Sequence, residues 1–132
     1  MRAHGRWHTR GRRIVYCAPN PAAALIETLV HAEIDMEDIP VTFRYIEIEA
    51  PDSVSAEALD LDVLGPDWWR NMDATRRAGD EWLRSGRCAL LRVPSAVVPA
   101  TWNVLINPRH PHSSQIRIGR IHDHAVDRRL LR

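Results

Sequence analysis

The sequence predicts a mixed α/β fold in one compact domain, and three observations support this prediction. The length of 132 residues suits a single domain with one core. Its 45% hydrophobic and 27% charged residues are ordinary for a globular protein. Strand-like and helix-like apolar patterns alternate along the chain without an internal repeat. We therefore expect one domain over residues 1–132, with a mixed β-sheet core and flanking helices.

The start of the chain predicts a strand followed by a helix. RIVYCA (13–18) is a short run of β-forming residues that stops before a Pro-Asn-Pro turn. Asn20 suits the N-cap of a helix and Pro21 its first position. Over residues 22–31 apolar side chains recur at helical spacing, with Glu27 beside the apolar stripe. Glu27 is thus predicted on a helix packed behind the first strand.

The remainder predicts a second strand, a long connection, a helix and three more strands. VTFRYIEIEA (41–50) alternates as a half-buried strand, and 51–70 is a mixed connection with short helical turns. Trp68 and Trp69 mark a buried or ligand-lining corner at its end. A helix follows over 72–86, with a glycine close to its end. The further strands are predicted at 88–95, 102–108 and 115–121, and we expect them to join the earlier strands in one mixed core.

Composition excludes several classes of protein. The longest apolar runs are far shorter than the roughly 20 residues of a membrane span, and the polar, basic start has no signal-peptide pattern, which predicts a cytoplasmic protein. All 18 basic residues are arginine, so lysine Schiff-base chemistry is excluded. The net charge of +1 gives no overall field for nucleic acid. Cys17 and Cys88 lie in apolar runs typical of buried free thiols.

Glu27 is the first candidate for a functional residue. It lies in an otherwise apolar helical window, where a buried carboxylate without a partner would be costly. Such a carboxylate would need an arginine or a cationic ligand, and Arg6 is the candidate partner. The alternative is a solvated glutamate on the flank of the helix.

Ser95 is the second candidate, because prolines flank it at a predicted strand end. One alternative is a turn serine bonded to its own backbone, and the other is a hydroxyl that positions a ligand. Asn103 and Asn107 have a similar ambiguity, and on a strand they would face the same side.

Four histidines near the C-terminus form two His-x-His pairs that could in principle hold zinc. The prolines around the first pair favour a turn, and no cysteine accompanies either pair. We therefore predict no metal site here. The four residues are His110, His112, His122 and His124.

Three stretches together resemble the RES-domain family, the toxin halves of bacterial RES–Xre toxin–antitoxin modules. They are GRWHTRGRRIVYCAPNPAAALIETLVH (5–31), GDEWLRSGRCALLRVPSAVVPATWNVLINPRHP (79–111) and VDRRLL (126–131). His8 stands where the family usually has asparagine. The chain also begins almost at the first motif, so we expect the N-terminal strand of the family to be missing.

The resemblance implies a fold similar to that of ADP-ribosyltransferases and an NAD-degrading toxin. The implied reaction cleaves the nicotinamide–ribose bond, with phosphate as the favoured acceptor, which would make the protein an NAD phosphorylase. Water or a protein side chain as acceptor would make it an NAD glycohydrolase or an ADP-ribosyltransferase. A truncated, inactive module that binds an antitoxin is a further alternative.

The same resemblance assigns roles to residues and implies partners. Arg6, Glu27 and Ser95 are the expected catalytic residues, and Tyr16 and Asn107 the expected substrate-binding residues. NAD is expected as substrate and phosphate as co-substrate, without a resident cofactor. The expected partner is an Xre-like antitoxin, with room for a homodimer within the complex and with no direct nucleic-acid or membrane partner.

Overall fold

The computed structural model of the chain describes residues 4–31 and 36–131, and within them six strands and three helices position the site. The strands are β1 (Val15–Cys17), β2 (Thr42–Glu49), β3 (Ala56–Ala58), β4 (Leu90–Pro94), β5 (Trp102–Ile106) and β6 (Arg117–Ala125). The helices are α1 (Pro21–His31), α2 (Leu61–Leu64) and α3 (Met72–Ser85). Short 3-10 segments complete the connections. The predicted mixed α/β fold is confirmed.

Four strands form a mixed sheet in the order β1-β5-β4-β3. The β1–β5 and β5–β4 pairs are antiparallel, and the β4–β3 pair is parallel. Strand β5 is thus flanked on both sides, which makes it a central strand. The buried core residues are Trp7, Ile14, Trp82, Cys88, Leu91, Val93 and Leu105.

Helix α3 covers this core with one narrow face made of Thr75, Gly79 and Trp82. The Trp82 indole N–H donates to Cys88 Sγ at 3.2 Å, which satisfies its polar atom inside the core. Gly79 explains why a glycine interrupts a helix interior. A Cβ added there would lie 1.7 Å from the carbonyl oxygen of Trp7, so the close approach of helix and chain requires glycine.

Helix α1 begins as predicted but packs on a different face. Asn20 Oδ1 accepts the backbone N–H of Ala23 at 2.9 Å, which confirms the N-cap. Part of the expected apolar stripe faces away from the core, because Ile26 and Val30 are 41% and 50% exposed. Ala23 is buried instead, and Glu27 lies one turn after it with its side chain only 17% exposed. Glu27 is therefore on the packed face of the helix and not on its flank.

Strands β2 and β6 form a separate antiparallel pair, hereafter the ribbon, instead of joining the four-stranded sheet. A register shift interrupts their pairing between Ile46 and Ile48. The paired Ile46 and Ile121 are 51% and 56% exposed, so the strand predicted over 41–50 is less buried than its alternation indicated. An alternating pattern marks two faces of a strand but does not specify what covers the apolar one.

Two further differences from the predicted elements concern strands. β3 lies in the connection over 51–70, for which no strand was predicted, because three residues are too few for a recognisable pattern. β6 continues to Ala125, beyond the predicted end at residue 121. Helix α2 falls within the helical turns that the connection predicted.

Candidate active site

The site is built around the carboxylate of Glu27, which three side chains contact. Ser95 Oγ donates to Glu27 Oε1 at 2.6 Å, and Asn103 Nδ2 donates to the same oxygen at 2.9 Å. His31 Nε2 lies 3.1 Å from Glu27 Oε2, one turn further along α1. Both carboxylate oxygens are therefore held, by donors from the helix, from the loop after β4 and from β5.

Ser95 is a turn serine, as the first of the two sequence alternatives predicted, and its hydroxyl also contacts Glu27; the alternative that it positions a ligand stays a prediction. The backbone N–H groups of Val97 and Val98 donate to its Oγ at 3.1 and 3.0 Å, as in a turn serine. The single hydroxyl proton then goes to Glu27. Because two donors and one acceptor surround this hydroxyl, it is fixed as a donor to the carboxylate.

Arg6 lies in a loop whose backbone accepts hydrogen bonds from two side chains of helix α3. Thr75 Oγ1 donates to the carbonyl oxygen of Arg6 at 2.6 Å, and Arg76 Nε donates to the carbonyl oxygen of Gly5 at 2.8 Å. The Arg6 side chain donates from Nη1 to the carbonyl oxygen of Trp69 at 3.1 Å. The predicted tryptophan corner thus contacts the guanidinium through its backbone.

Arg6 and Glu27 are electrostatic neighbours, although within the described residues they form no direct ion pair. Burial lowers the pKa of Arg6 from its usual value, the Glu27 carboxylate acts in the opposite direction, and nearby Arg76 lowers it further. Arginine remains charged under all ordinary conditions. The expectation that Arg6 is the direct partner of Glu27 is wrong, because Ser95 and His31 are closer and occupy both oxygens.

Tyr16 is fixed by its hydroxyl while part of its ring stays accessible. The backbone N–H of Trp7 donates to the Tyr16 hydroxyl at 3.1 Å, and His8 Nδ1 lies 2.6 Å from the same oxygen. A Cβ on Gly5 would lie 2.5 Å from this hydroxyl, so the GRW motif needs its glycine. Burial raises the pKa of Tyr16 to about 12, and the residue is still 40% exposed.

Asn107, a predicted site residue, lies apart from Glu27. It follows β5 four residues after Asn103, about 13 Å away at 3.3 Å per residue. Its side chain accepts the N–H of Arg109 at 3.1 Å, and its carbonyl oxygen accepts the Ser113 hydroxyl at 2.6 Å. These bonds build the turn after β5, so its role in substrate binding stays a prediction.

Sequence reasoning missed two of the three contacts to Glu27. Asn103 was noted only as ambiguous, and the signal that could have found it is a polar residue inside the apolar run WNVLI of a predicted strand. His31 was not singled out, although its spacing of four from Glu27 places both on one helix face.

A groove in the described part of the chain lies away from this site and does not mark it. It has a volume of about 530 Å³, lies beside α2 and α3, and is lined by residues that include Val63, Arg77 and Arg84 but none of the predicted site residues. We place the chemistry at Glu27, because a held, mostly buried carboxylate has a chemical capability that an open groove of mixed charges lacks.

The described part of the chain contains neither a metal-binding cluster nor a helix that could span a membrane. No group of three or more His, Cys, Asp or Glu side chains there is arranged to hold a metal ion. None of the helices found there has the length and apolarity required to cross a bilayer.

Comparison with known proteins places this site in a family. The family model of the RES domain matches residues 1–127. The chain belongs to the RES family. The resemblance seen in the sequence is thereby confirmed, and Arg6, Glu27 and Ser95 lie within the matched part.

Curated relatives and a solved structure agree with membership of the RES family. The chain is 45% identical over 130 residues to the protein named Toxin Res of Pseudomonas putida KT2440, covering 98% of this chain and 88% of that protein. It is 38% identical over 133 residues to the Prs ADP-ribosylating toxin of Sphingobium sp. YBL2, covering 97% and 81%. A chain in the crystal structure of the M. tuberculosis MbcT–MbcA toxin–antitoxin complex has the same fold, with a TM-score of 0.62 at 17% identity, covering 92% of this chain and 72% of that chain.

Proposed function

We propose that this RES-family toxin degrades NAD by breaking the nicotinamide–ribose bond and passing the ADP-ribosyl group to inorganic phosphate. The bond between the ring nitrogen and the ribose C1 breaks, and the electron pair leaves with nicotinamide as a neutral base. A phosphate oxygen supplies the electron pair of the new bond. The products are nicotinamide and ADP-ribose 1″-phosphate.

The observation that carries this proposal is the Glu27 carboxylate, mostly buried and held by Ser95, Asn103 and His31. Little help is needed at the leaving group, because the charged ring becomes neutral as it departs. The difficult species is the sugar, which becomes positively charged as in glycoside hydrolysis. A preorganised carboxylate beside it stabilises that developing charge. Glu27 is therefore the residue we assign to the transition state.

The other predicted residues have roles that fit their contacts. Arg6, planar and charged, suits the pyrophosphate of NAD or the incoming phosphate through paired hydrogen bonds. The accessible part of the Tyr16 ring suits stacking on nicotinamide. Ser95 has its hydroxyl engaged by Glu27 and the backbone, so we assign it to holding the carboxylate and not to direct contact with the sugar.

A second acceptor is favoured by one comparison. The Sphingobium relative is named for ADP-ribosylating activity, and it covers 97% of this chain. The same carboxylate would then act while a protein side chain takes the place of phosphate. Only the nucleophile differs between the two candidates, so the bond that breaks is the same.

One incubation separates these candidates. Purified protein is mixed with NAD in the presence and absence of phosphate, and the products are identified by mass spectrometry. ADP-ribose 1″-phosphate that forms only with phosphate supports the phosphorylase. Free ADP-ribose under both conditions indicates a glycohydrolase, and mass added to an offered protein indicates a transferase. Intact NAD with a folded protein would contradict the proposed function and favour the inactive antitoxin-binding module.

We further propose that an Xre-like antitoxin binds over the site that contains Arg6 and Ser95. The complex would form in the cytoplasm, where the toxin has access to NAD. The solved fold relative comes from a toxin–antitoxin complex, which supports a partner of this kind. Expression of the chain alone is expected to lower cellular NAD and arrest growth, and co-expression of the adjacent gene's product is expected to restore both. Growth arrest that persists despite a formed complex would contradict inhibition by this route.

A further inference from the structure

Asn103 contacts the carboxylate of Glu27 from the first half of β5, a central strand of the main sheet. It lies on β5, between the strands β1 and β4, and its Nδ2 donates to Glu27 Oε1 at 2.9 Å. Its register partner on β4 is Val93, which is fully buried, as is Leu105 two residues along β5. Both of these neighbours are apolar, so packing against them alone would favour an apolar side chain at position 103.

The asparagine also has a cost that an apolar residue would not have. Its Oδ1 is the one buried side-chain nitrogen or oxygen in the described part of the chain without a hydrogen-bond partner. A buried acceptor without a donor is destabilising, and native proteins contain few of them. The hydrogen bond that Asn103 donates to Glu27 offsets part of this cost, and an apolar side chain could not form it.

We propose that Asn103 is a positioning residue that fixes the orientation of the Glu27 carboxylate during NAD cleavage. This inference rests on the proposed function and adds a residue to it. Asn103 acts through Glu27 and does not itself contact the sugar. Ser95 and Asn103 donate to the same oxygen from two independent elements, the loop after β4 and the strand β5.

Two donors restrict the carboxylate more than one donor can. Without Asn103, Ser95 would be the only donor to Oε1, and Oε2 would be held by His31, whose side chain is 57% exposed. The carboxylate would then keep more freedom to rotate about its terminal bond, because that torsion has a broad energy minimum. The second bond from Asn103 removes this freedom before the substrate binds. Misplacement of a reacting group by about 1 Å can lower a rate by about 100-fold. The loss of Asn103 should therefore appear in kcat.

The test compares Asn103→Ala with Val54→Ala. Val54 is a buried apolar residue before β3, near the Leu90 end of β4 and so remote from Ser95, and it serves as the control for loss of stability. Asn103→Ala is expected to lower kcat by about 10- to 100-fold, with the KM for NAD within about two-fold of wild type. Val54→Ala should lower the thermal midpoint while kcat is retained. An Asn103→Ala protein with full kcat would overturn the inference.

Asn103→Asp, which is isosteric, tests the inference if the alanine variant fails to fold. It places a second carboxyl group against Glu27, so the acid limb of the pH profile of kcat should move to higher pH, since two close carboxylates resist joint ionisation. A side chain at position 103 that did not contact Glu27 would not move this limb, so the variant tests the contact on which the inference rests. An unchanged profile would overturn the inference.

An NMR titration of the Glu27 carboxyl carbon separates failure of this inference from failure of the proposed function. The titration midpoint should rise in Asn103→Asp relative to wild type. An unchanged midpoint would remove the contact whether or not the wild type consumes NAD. A raised midpoint in a protein that leaves NAD intact would keep the contact and overturn the proposed function together with the role of Asn103 in it.

Discussion

The four-stranded sheet and the β2–β6 ribbon hold their charged side chains in opposite ways. At the sheet, Glu27 is only 17% exposed and accepts hydrogen bonds from the neutral side chains of Ser95 and Asn103. On the ribbon, Arg44 pairs with Asp123 at 2.9 Å while both side chains are more than half exposed. The first arrangement fixes one mostly buried carboxylate, whereas the second leaves both charges in water.

This difference indicates where chemistry and stability reside. Water competes with an exposed ion pair, so such a pair contributes little to folding. A mostly buried carboxylate destabilises the folded state unless its hydrogen bonds are well formed, so the side chains that donate to it must be accurately placed. Substitutions near the main sheet should therefore have large effects, and substitutions on the ribbon small ones.

The largest expected effect comes from Gly79→Ala in α3. The new Cβ would meet the carbonyl oxygen of Trp7 at 1.7 Å, so helix and chain must separate. The gain in helix propensity of about 1 kcal/mol is outweighed by an overpacking cost of about 3 kcal/mol or more. Urea unfolding measures the loss.

The ribbon supplies the matched control, Gly119→Ala. There the added Cβ would meet Glu49 Oε1 at 2.7 Å, the far end of an exposed side chain that can move away. The free energy of unfolding should change by no more than about 0.5 kcal/mol. Equal losses of unfolding free energy for the two variants would contradict the expectation that the ribbon tolerates substitution better than the main sheet.

Glu27→Gln is next, and its effect should fall on activity. The amide keeps the shape of the side chain but removes the negative charge beside the sugar, so NAD turnover should drop by about 100-fold or more. The thermal midpoint should stay within a few degrees of wild type, because hydrogen bonds to the side chain can largely be retained. A fully active variant would show that the charge of Glu27 has no role in the transition state.

Tyr16→Phe should have a smaller effect that depends on pH. Removal of the hydroxyl leaves the buried N–H of Trp7 without its acceptor, at a cost of about 1 kcal/mol at neutral pH. Burial raises the pKa of Tyr16 from 10.0 to about 12. The folded state thus favours the neutral phenol, so the stability contributed by Tyr16 is complete below pH 10 and is lost between pH 10 and about 12.

The measurement is the urea midpoint of both proteins over that alkaline range. The gap between wild type and Tyr16→Phe should narrow as the pH approaches 12. A difference in urea midpoint that stays constant would mean that the Tyr16 hydroxyl titrates alike in the folded and unfolded chain. Burial in the main sheet would then not affect this hydroxyl.

The smallest expected effect is that of Arg44→Ala on the ribbon. The variant loses the 2.9 Å pair with Asp123, but both groups remain solvated, so neither the thermal midpoint nor NAD turnover should change measurably. Melting curves at low and high salt check this. A clear loss of activity would show that the ribbon takes part in the reaction.

Local patterns in the sequence were sufficient to predict α1 with its Asn20 cap, α3 and most strands, because capping and periodicity depend on neighbouring residues. They could not predict that Ile26 would face outward and Glu27 inward, since a helix with apolar residues on several sides does not specify which one packs. The separation of the ribbon from the main sheet was equally hidden, because pairing is decided by strands far apart in the chain.

The candidate site was predicted in part. Glu27 and Ser95 do meet, and the structure adds Asn103 and His31 as partners. The sequence gives no physical reason to prefer Asn107 to Asn103, since on the predicted strand over 102–108 both would face the same side. Only the position of α1 over one end of β5 distinguishes them.

The carboxylate of Glu27 takes its neutral donors from positions 68 and 76 residues further along the chain. A contact of such separation forms only after much of the intervening chain is ordered. During synthesis, which proceeds from the N-terminus, Glu27 emerges long before Ser95 and Asn103. A growing chain that has not reached β5 therefore lacks the arrangement on which the proposed reaction depends, so we expect the toxin to gain that activity only after β5 has been synthesised.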